Sequence, residues 1–190
     1  MEVNNEKLKS IQDKCFKMGY WEELREFYKP EEIKLLIIGD DVPDDRKRFF
    51  YYDKVKKADY LFRDTMKALF PDDYKSYDWT PEKKRVLLEK FYDQGGYLLD
   101  VYSHPKKEIR SSEIDDEENK FFNSLSKLNL SENCWVIILS AVAWLEGSFS
   151  KNNYKVVGYR GGEKNDEYIM LLRKYKNNID NDGKAANENF

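Results

Sequence analysis

Little in this chain can hold a metal or carry imidazole chemistry: its 190 residues include one histidine, His104, and two cysteines, Cys15 and Cys134. One histidine and two distant thiols offer no zinc-ligand spacing. Cys15 falls in a helical pattern and Cys134 opens a buried strand, so both read as free core thiols in a reducing cytoplasm. No apolar run approaches the roughly 18 residues of a membrane span, and the polar, acidic N-terminus is unlike a signal peptide. No glycine-rich phosphate loop follows the first strand, which excludes the dinucleotide-binding and P-loop patterns. No serine sits in a nucleophile elbow, and a nucleophile at Cys134 would point the wrong way. A formal charge of −3 supplies no global attraction to nucleic acid, although it leaves room for a local basic groove. The expectation is a cytoplasmic monomer with no cofactor and no membrane contact.

What the chain does have is charge and rings, 36% charged and 15% aromatic residues, the balance of a folded domain with a solvated surface. Its length suits one compact domain over 1–176, opened by an N-terminal helix within 1–29 and followed by a polar tail, 177–190, expected to be disordered. The most informative stretch is the apolar run Ile33 to Ile38, which ends in Gly39 and four carboxylates, Asp40, Asp41, Asp44 and Asp45. A run without polar alternation reads as a strand covered on both faces. Ligands of such sheets bind beyond the carboxyl ends of the strands. The aspartates therefore stand either at a site or in a solvated turn, which Asp and Pro favour for local backbone reasons.

Strands and helices alternate along the rest. Residues 5 to 28 place Leu8, Ile11, Cys15, Met18, Leu24 and Phe27 at helical spacing, closed by Pro30. A second helix is expected near 54–69, broken at Pro71. Thr80-Pro81 starts a third, burying Val86, Leu87 and Phe91 and stopping at Gly95-Gly96. Further strands are read at 97–102, 134–139 and 155–159, with a helix carrying Phe121 and Phe122 before the third. A short helix from Ser140 follows that strand, and a last one carries Tyr168, Leu172 and Tyr175. The fold class is α/β: an α/β/α sandwich around a short, mostly parallel four-stranded sheet.

Candidate site residues cluster at strand ends. In the aromatic run Phe49-Phe50-Tyr51-Tyr52, alternating burial would leave Phe50 and Tyr52 lining a cleft. Arg46-Lys47-Arg48 beside those rings pairs cations for phosphate with faces for unstacked bases, or forms a solvated loop. Lys106, Lys107, Arg110 and Lys151 extend the patch if the loops converge. His104 is either a surface residue or the one imidazole available for catalysis. Asp100, at the end of the second strand, either contacts a ligand or bonds a neighbouring turn. The aspartate cluster also admits weak Mg²⁺ binding, and with it a Mg²⁺-assisted phosphoesterase.

In order, these segments resemble the uracil-DNA glycosylase superfamily, and in particular its divergent members. The pieces are Gly39-Asp40-Asp41-Val42-Pro43, then Phe49 to Tyr52 and Leu61-Phe62-Arg63. Leu99-Asp100-Val101 with Pro105 follows, then Ile137-Ile138-Leu139 with Ala143, and a glycine-bearing loop before the last helix. The likeness spans roughly residues 30–176. It implies strand order 2-1-3-4 and a cleft at the carboxyl ends of strands one and three. It also implies Asp40 and Asp41 at the catalytic positions and a stacking ring from the aromatic run. Ser140, Asp100 and His104 would touch the base, and Arg46, Arg48 and Arg160 would meet phosphate. The implied ligand is single-stranded or damaged DNA, or a free nucleobase or nucleotide, with N-glycosidic hydrolysis as the reaction. The chain departs from the family at Val42, where a proline is usual, and at Ser140, where an asparagine or glycine is. Gly158 to Gly162 replaces a histidine-bearing loop, so the same fold serving as a catalytically silent binding module is the alternative.

Overall fold

A computed structural model describes residues 5–18, 21–45, 48–53, 58–75, 80–149 and 153–187. Helices α1 (Asn5–Met18) and α2 (Trp21–Phe27) lead into β1 (Ile33–Asp41). The single helix expected over 5–28 is thus two, and Val55 lies outside the described residues, as do Arg46, Lys47 and Lys151. Helices α3 (Tyr60–Leu69), α4 (Pro71–Tyr74) and α5 (Pro81–Asp93) precede β2 (Gly96–Tyr102). Two 3-10 turns, Lys106–Glu108 and Ser111–Glu113, open α6 (Ile114–Leu125). Strand β3 (Leu130–Leu139) runs into a 3-10 segment, Ser140–Phe149, and then β4 (Asn153–Val157). The last helix, α7 (Asp166–Asn187), continues well past Asn177, where a disordered tail was expected.

The sheet order is β2-β1-β3-β4 and every pairing is parallel, so the mostly parallel expectation becomes an all-parallel sheet. Successive strand residues point to opposite faces. Leu35, Leu36, Ile37 and Ile38 are nonetheless all buried, as is the whole of β2, so helices cover both faces. No helix among the described residues is long and apolar enough to cross a membrane. Cys15 and Cys134 are both buried and are not joined in a disulfide.

Local chemistry sets the elements that frame the site. The Thr80 hydroxyl accepts from Lys83 N–H at 3.3 Å, and Pro81 fills the first helical position of α5. Gly95 ends that helix in the left-handed region at φ +74°. Its carbonyl accepts from Lys34 and Leu35 N–H, which starts the β1–β2 pairing. The buried stripe of α5 is Lys84, Leu87, Leu88 and Phe91, with Val86 about half exposed rather than buried. Phe122 on α6 is likewise exposed, beside Trp144.

Strand β2 stands at the edge of the sheet, where backbone groups need partners. Tyr51 supplies them: its hydroxyl accepts from Leu98 N–H at 2.6 Å and donates to Leu98 C=O at 3.0 Å. The surrounding rings hold it there. Tyr28, just past α2, stacks on Tyr51 at 5.7 Å, Trp21 of α2 meets Phe49, and Phe50 meets Phe62 of α3 and Phe91 of α5. The aromatic segment is therefore a hub joining α2, α3, α5 and the edge strand.

Candidate functional site

A cavity of about 430 Å³ opens where β1 and β2 end, within the size range of small-ligand pockets. Asp41, Asp44, Arg48, Phe49, Phe50, Asp59, Tyr60, Asp100, Lys107, Tyr159 and Gly161 are among the residues that line it.

Strand register decides which aspartates reach it. Gly39 pairs with Asp100 across the β1–β2 ladder, and Asp41 lies two residues beyond Gly39. The period of two puts Asp41 and Asp100 on one face of the sheet and Asp40 on the other. Gly39 has no side chain to spare for this face. A Cβ there would lie 2.4 Å from Asp100 Oδ1, so the glycine makes room for the carboxylate.

Asp100 is buried, and its Oδ2 accepts from Arg25 Nη2 at 3.1 Å. Burial pushes its carboxyl up to about 6, although the Arg25 guanidinium pulls the other way. Asp41 is half-buried, and its Oδ2 accepts from Lys106 N–H at 2.7 Å. Desolvation raises this carboxyl as well, against the Lys106 N–H, and the neighbouring Asp40 and Asp44 add to the rise. Asp59 is 2% exposed and Lys84 is fully buried, with Lys84 Nζ 2.5 Å from Asp59 Oδ2. The same ammonium donates to Phe49 C=O at 3.3 Å and stands 4.3 Å over the Phe62 ring. Burial drives Asp59 up and Lys84 down, each toward its neutral form, and their contact opposes both shifts.

The far wall comes from the loop after β4. Asn165 is buried, and its amide donates to Arg160 C=O, Glu163 C=O and Asp64 while accepting from Arg160 N–H. Tyr159 donates to the same Asp64 carboxylate at 3.1 Å. These bonds pin the loop to α3, with Gly161 and Gly162 against the Tyr60 ring.

Of the residues expected at a site, Asp41, Phe50, Asp100 and Arg48 line the cavity together. Asp40 does not; its Oδ1 is sealed from solvent, 3.5 Å from Lys106 Nζ. All four rings of the aromatic run are buried, and the pair at the cavity is Phe49 and Phe50 rather than Phe50 and Tyr52. Ser140 is exposed at the start of its 3-10 segment and lies away from the cavity. His104 lines a separate depression with Glu108, Glu113 and Glu117. Arg160 points to solvent with Glu163 at 3.8 Å, and Arg46 lies outside the described residues. Lys106 and Lys107 do converge on the acidic loop, but as partners of Asp40 and Asp44. Among the described residues no group of three or more His, Cys, Asp or Glu is arranged to hold a metal ion.

Sequence reasoning missed Arg25, Asp59, Lys84, Tyr159 and Asn165. Two of them carried a signal, because Arg25 and Lys84 sit on the apolar stripes Trp21-Leu24-Arg25-Tyr28 and Lys84-Leu87-Leu88-Phe91. A cation in a stripe that packs inward needs a buried anion to meet it.

Fold and site together define an α/β protein with a carboxylate-lined cavity at the carboxyl end of a parallel sheet. Beyond that class, the chain matches no family model and has no significant match among curated proteins or solved structures.

Proposed function

We propose that this is a uracil-DNA-glycosylase-like protein that binds a nucleobase in the cavity and hydrolyses its N-glycosidic bond. The base is that of a free nucleoside or nucleotide, or one extruded from single-stranded or damaged DNA. The observation that carries the reading is the joint lining of one cavity by Asp41, Asp100, Phe49, Phe50 and Arg48. Aromatic walls favour a flat π-system, and base stacking on a ring is worth about 1–3 kcal/mol. The sheet order 2-1-3-4, implied by the resemblance, is further support.

In this reading Asp41 orients a water. The water oxygen bonds to the anomeric carbon, the carbon–nitrogen bond breaks, and its electron pair leaves with the base. Asp41 accepts the water proton, and the two carboxylates offset the positive charge that develops on the sugar. A carboxyl raised by burial is a better base for that proton than an exposed one. Arg48, whose Nε is buried without a hydrogen bond, is placed to meet an anionic or carbonyl oxygen.

One observation favours binding without hydrolysis. The chain's single histidine lines another depression, and the loop Gly158 to Gly162 brings no imidazole to stabilise a departing base.

The test is base release from single-stranded oligonucleotides carrying uracil, hypoxanthine, xanthine or the natural bases. Wild type is expected to release a base, Asp41→Ala to be at least about a hundredfold slower, and Asp40→Ala to stay close to wild type. Undiminished turnover in Asp41→Ala refutes the assigned mechanism. Binding without release from any substrate leaves the silent module.

A further inference from the structure

The cavity presents acceptors to its contents and keeps the matching cations behind its wall. Asp41, Asp44, Asp59 and Asp100 line it, whereas Arg25 and Lys84, which neutralise Asp100 and Asp59, do not. Among the described lining residues there is no Asn, Gln, Ser or Thr, so none of them offers a neutral amide donor beside an acceptor. Among the described residues the cations on the wall are Arg48 and Lys107, and Lys107 lies on the rim, 2.7 Å from Asp44. Asp100 is 6% exposed, and Arg25 occupies Oδ2, which leaves Oδ1 on the Gly39 side. Asp41 is arranged in the same way, with Oδ2 taken by Lys106 N–H. Among the described residues neither Oδ1 has a hydrogen-bond partner, so each carboxylate has one oxygen left for a ligand.

We propose that the cavity selects a base bearing an exocyclic amino group, of the guanine or cytosine type, over the hypoxanthine or uracil type. The inference rests on the reading that the cavity takes a nucleobase, and it names which one. A uracil edge sets two carbonyl oxygens around a single N–H, so against carboxylates its lone pairs meet lone pairs. A guanine edge sets an amino group beside a ring N–H, two adjacent donors for carboxylate oxygens, with Arg48 available to its carbonyl. A cytosine edge offers its amino group alone to the same acceptors. Sites built to hydrogen-bond a substrate group discriminate strongly against the analogue that lacks it, because the buried partner is left unpaired.

The experiment is calorimetric titration of wild type with guanosine against inosine and cytidine against uridine, pairs in which one member lacks the amino group. Guanosine is expected to bind at least about tenfold tighter than inosine, and cytidine than uridine. In Asp41→Asn, which keeps an acceptor for Lys106 N–H, the ratio is expected to fall toward about threefold. Equal affinity within each pair overturns the selectivity and leaves nucleobase binding standing. Discrimination that survives both Asp41→Asn and Asp100→Asn overturns it as well. No binding of any nucleoside overturns the selectivity together with the functional reading beneath it.

Discussion

Replacing Lys84 with methionine tests the electrostatic framework of the cavity wall. Methionine keeps the length and apolar stem of lysine and removes the ammonium. Asp59 then has no cation at 2.5 Å, while remaining 2% exposed. Breaking one side of a buried pair costs about 3–5 kcal/mol. For a domain of this size that corresponds to a fall in Tm of about 6–20 °C. Neutralising the other side should restore much of it, so Asp59→Asn/Lys84→Met is expected to recover at least half of the loss. The two-state urea transition of the single and double variants measures both quantities. The pH dependence has a definite sign. Burial already raises Asp59, and removing Lys84 raises it further, so the folded single variant holds a proton that the unfolded chain has released. Its stability must therefore fall as pH rises from the unfolded carboxylate value upward, more steeply than that of wild type. A loss below about 1 kcal/mol, or a double variant no better than the single, would falsify the account of Lys84 as the counterion that holds Asp59 in the wall.

Gly39→Ala places a Cβ 2.4 Å from Asp100 Oδ1, which Arg25 holds from the other side. It should cost about 1–3 kcal/mol in urea unfolding and weaken nucleoside binding about tenfold; unchanged stability together with unchanged binding would show that the carboxylate is not held there. The Asp100 carboxyl, raised to about 6 by burial, binds protons in the folded state that the unfolded chain has lost. Stability should fall between about pH 4 and pH 6, by about 3 kcal/mol in all, and level off above. Subtracting the profile of Asp100→Asn isolates this slope. A flat difference profile would mean that Asp100 is not desolvated.

Alternation and breakers made the order of elements readable. The apolar run Ile33 to Ile38, the Thr80-Pro81 start and the Gly95 stop are local signals, and each depends on residues within one or two turns of itself. The position of Asp41 at the carboxyl end of a doubly covered strand follows from the same local logic. The assembly of the site does not. That Asp41 and Asp100 share a face while Asp40 faces away is set by the register between β1 and β2, elements more than fifty residues apart. Phe49 and Phe50 line the cavity and Tyr52 does not, because Tyr51 is committed to the edge of β2 and turns the segment around it. His104 and Ser140 follow strand ends, whereas Asp41 is the last residue of β1, and the turns after β2 and β3 carry the first two elsewhere. Periodicity is a property of neighbours along the chain, and it placed the helices, the strands and the first carboxylates. Convergence is a property of packing: Arg25, Asp59 and Lys84 became wall and counterion only when α2, α3 and α5 closed on the same ring cluster.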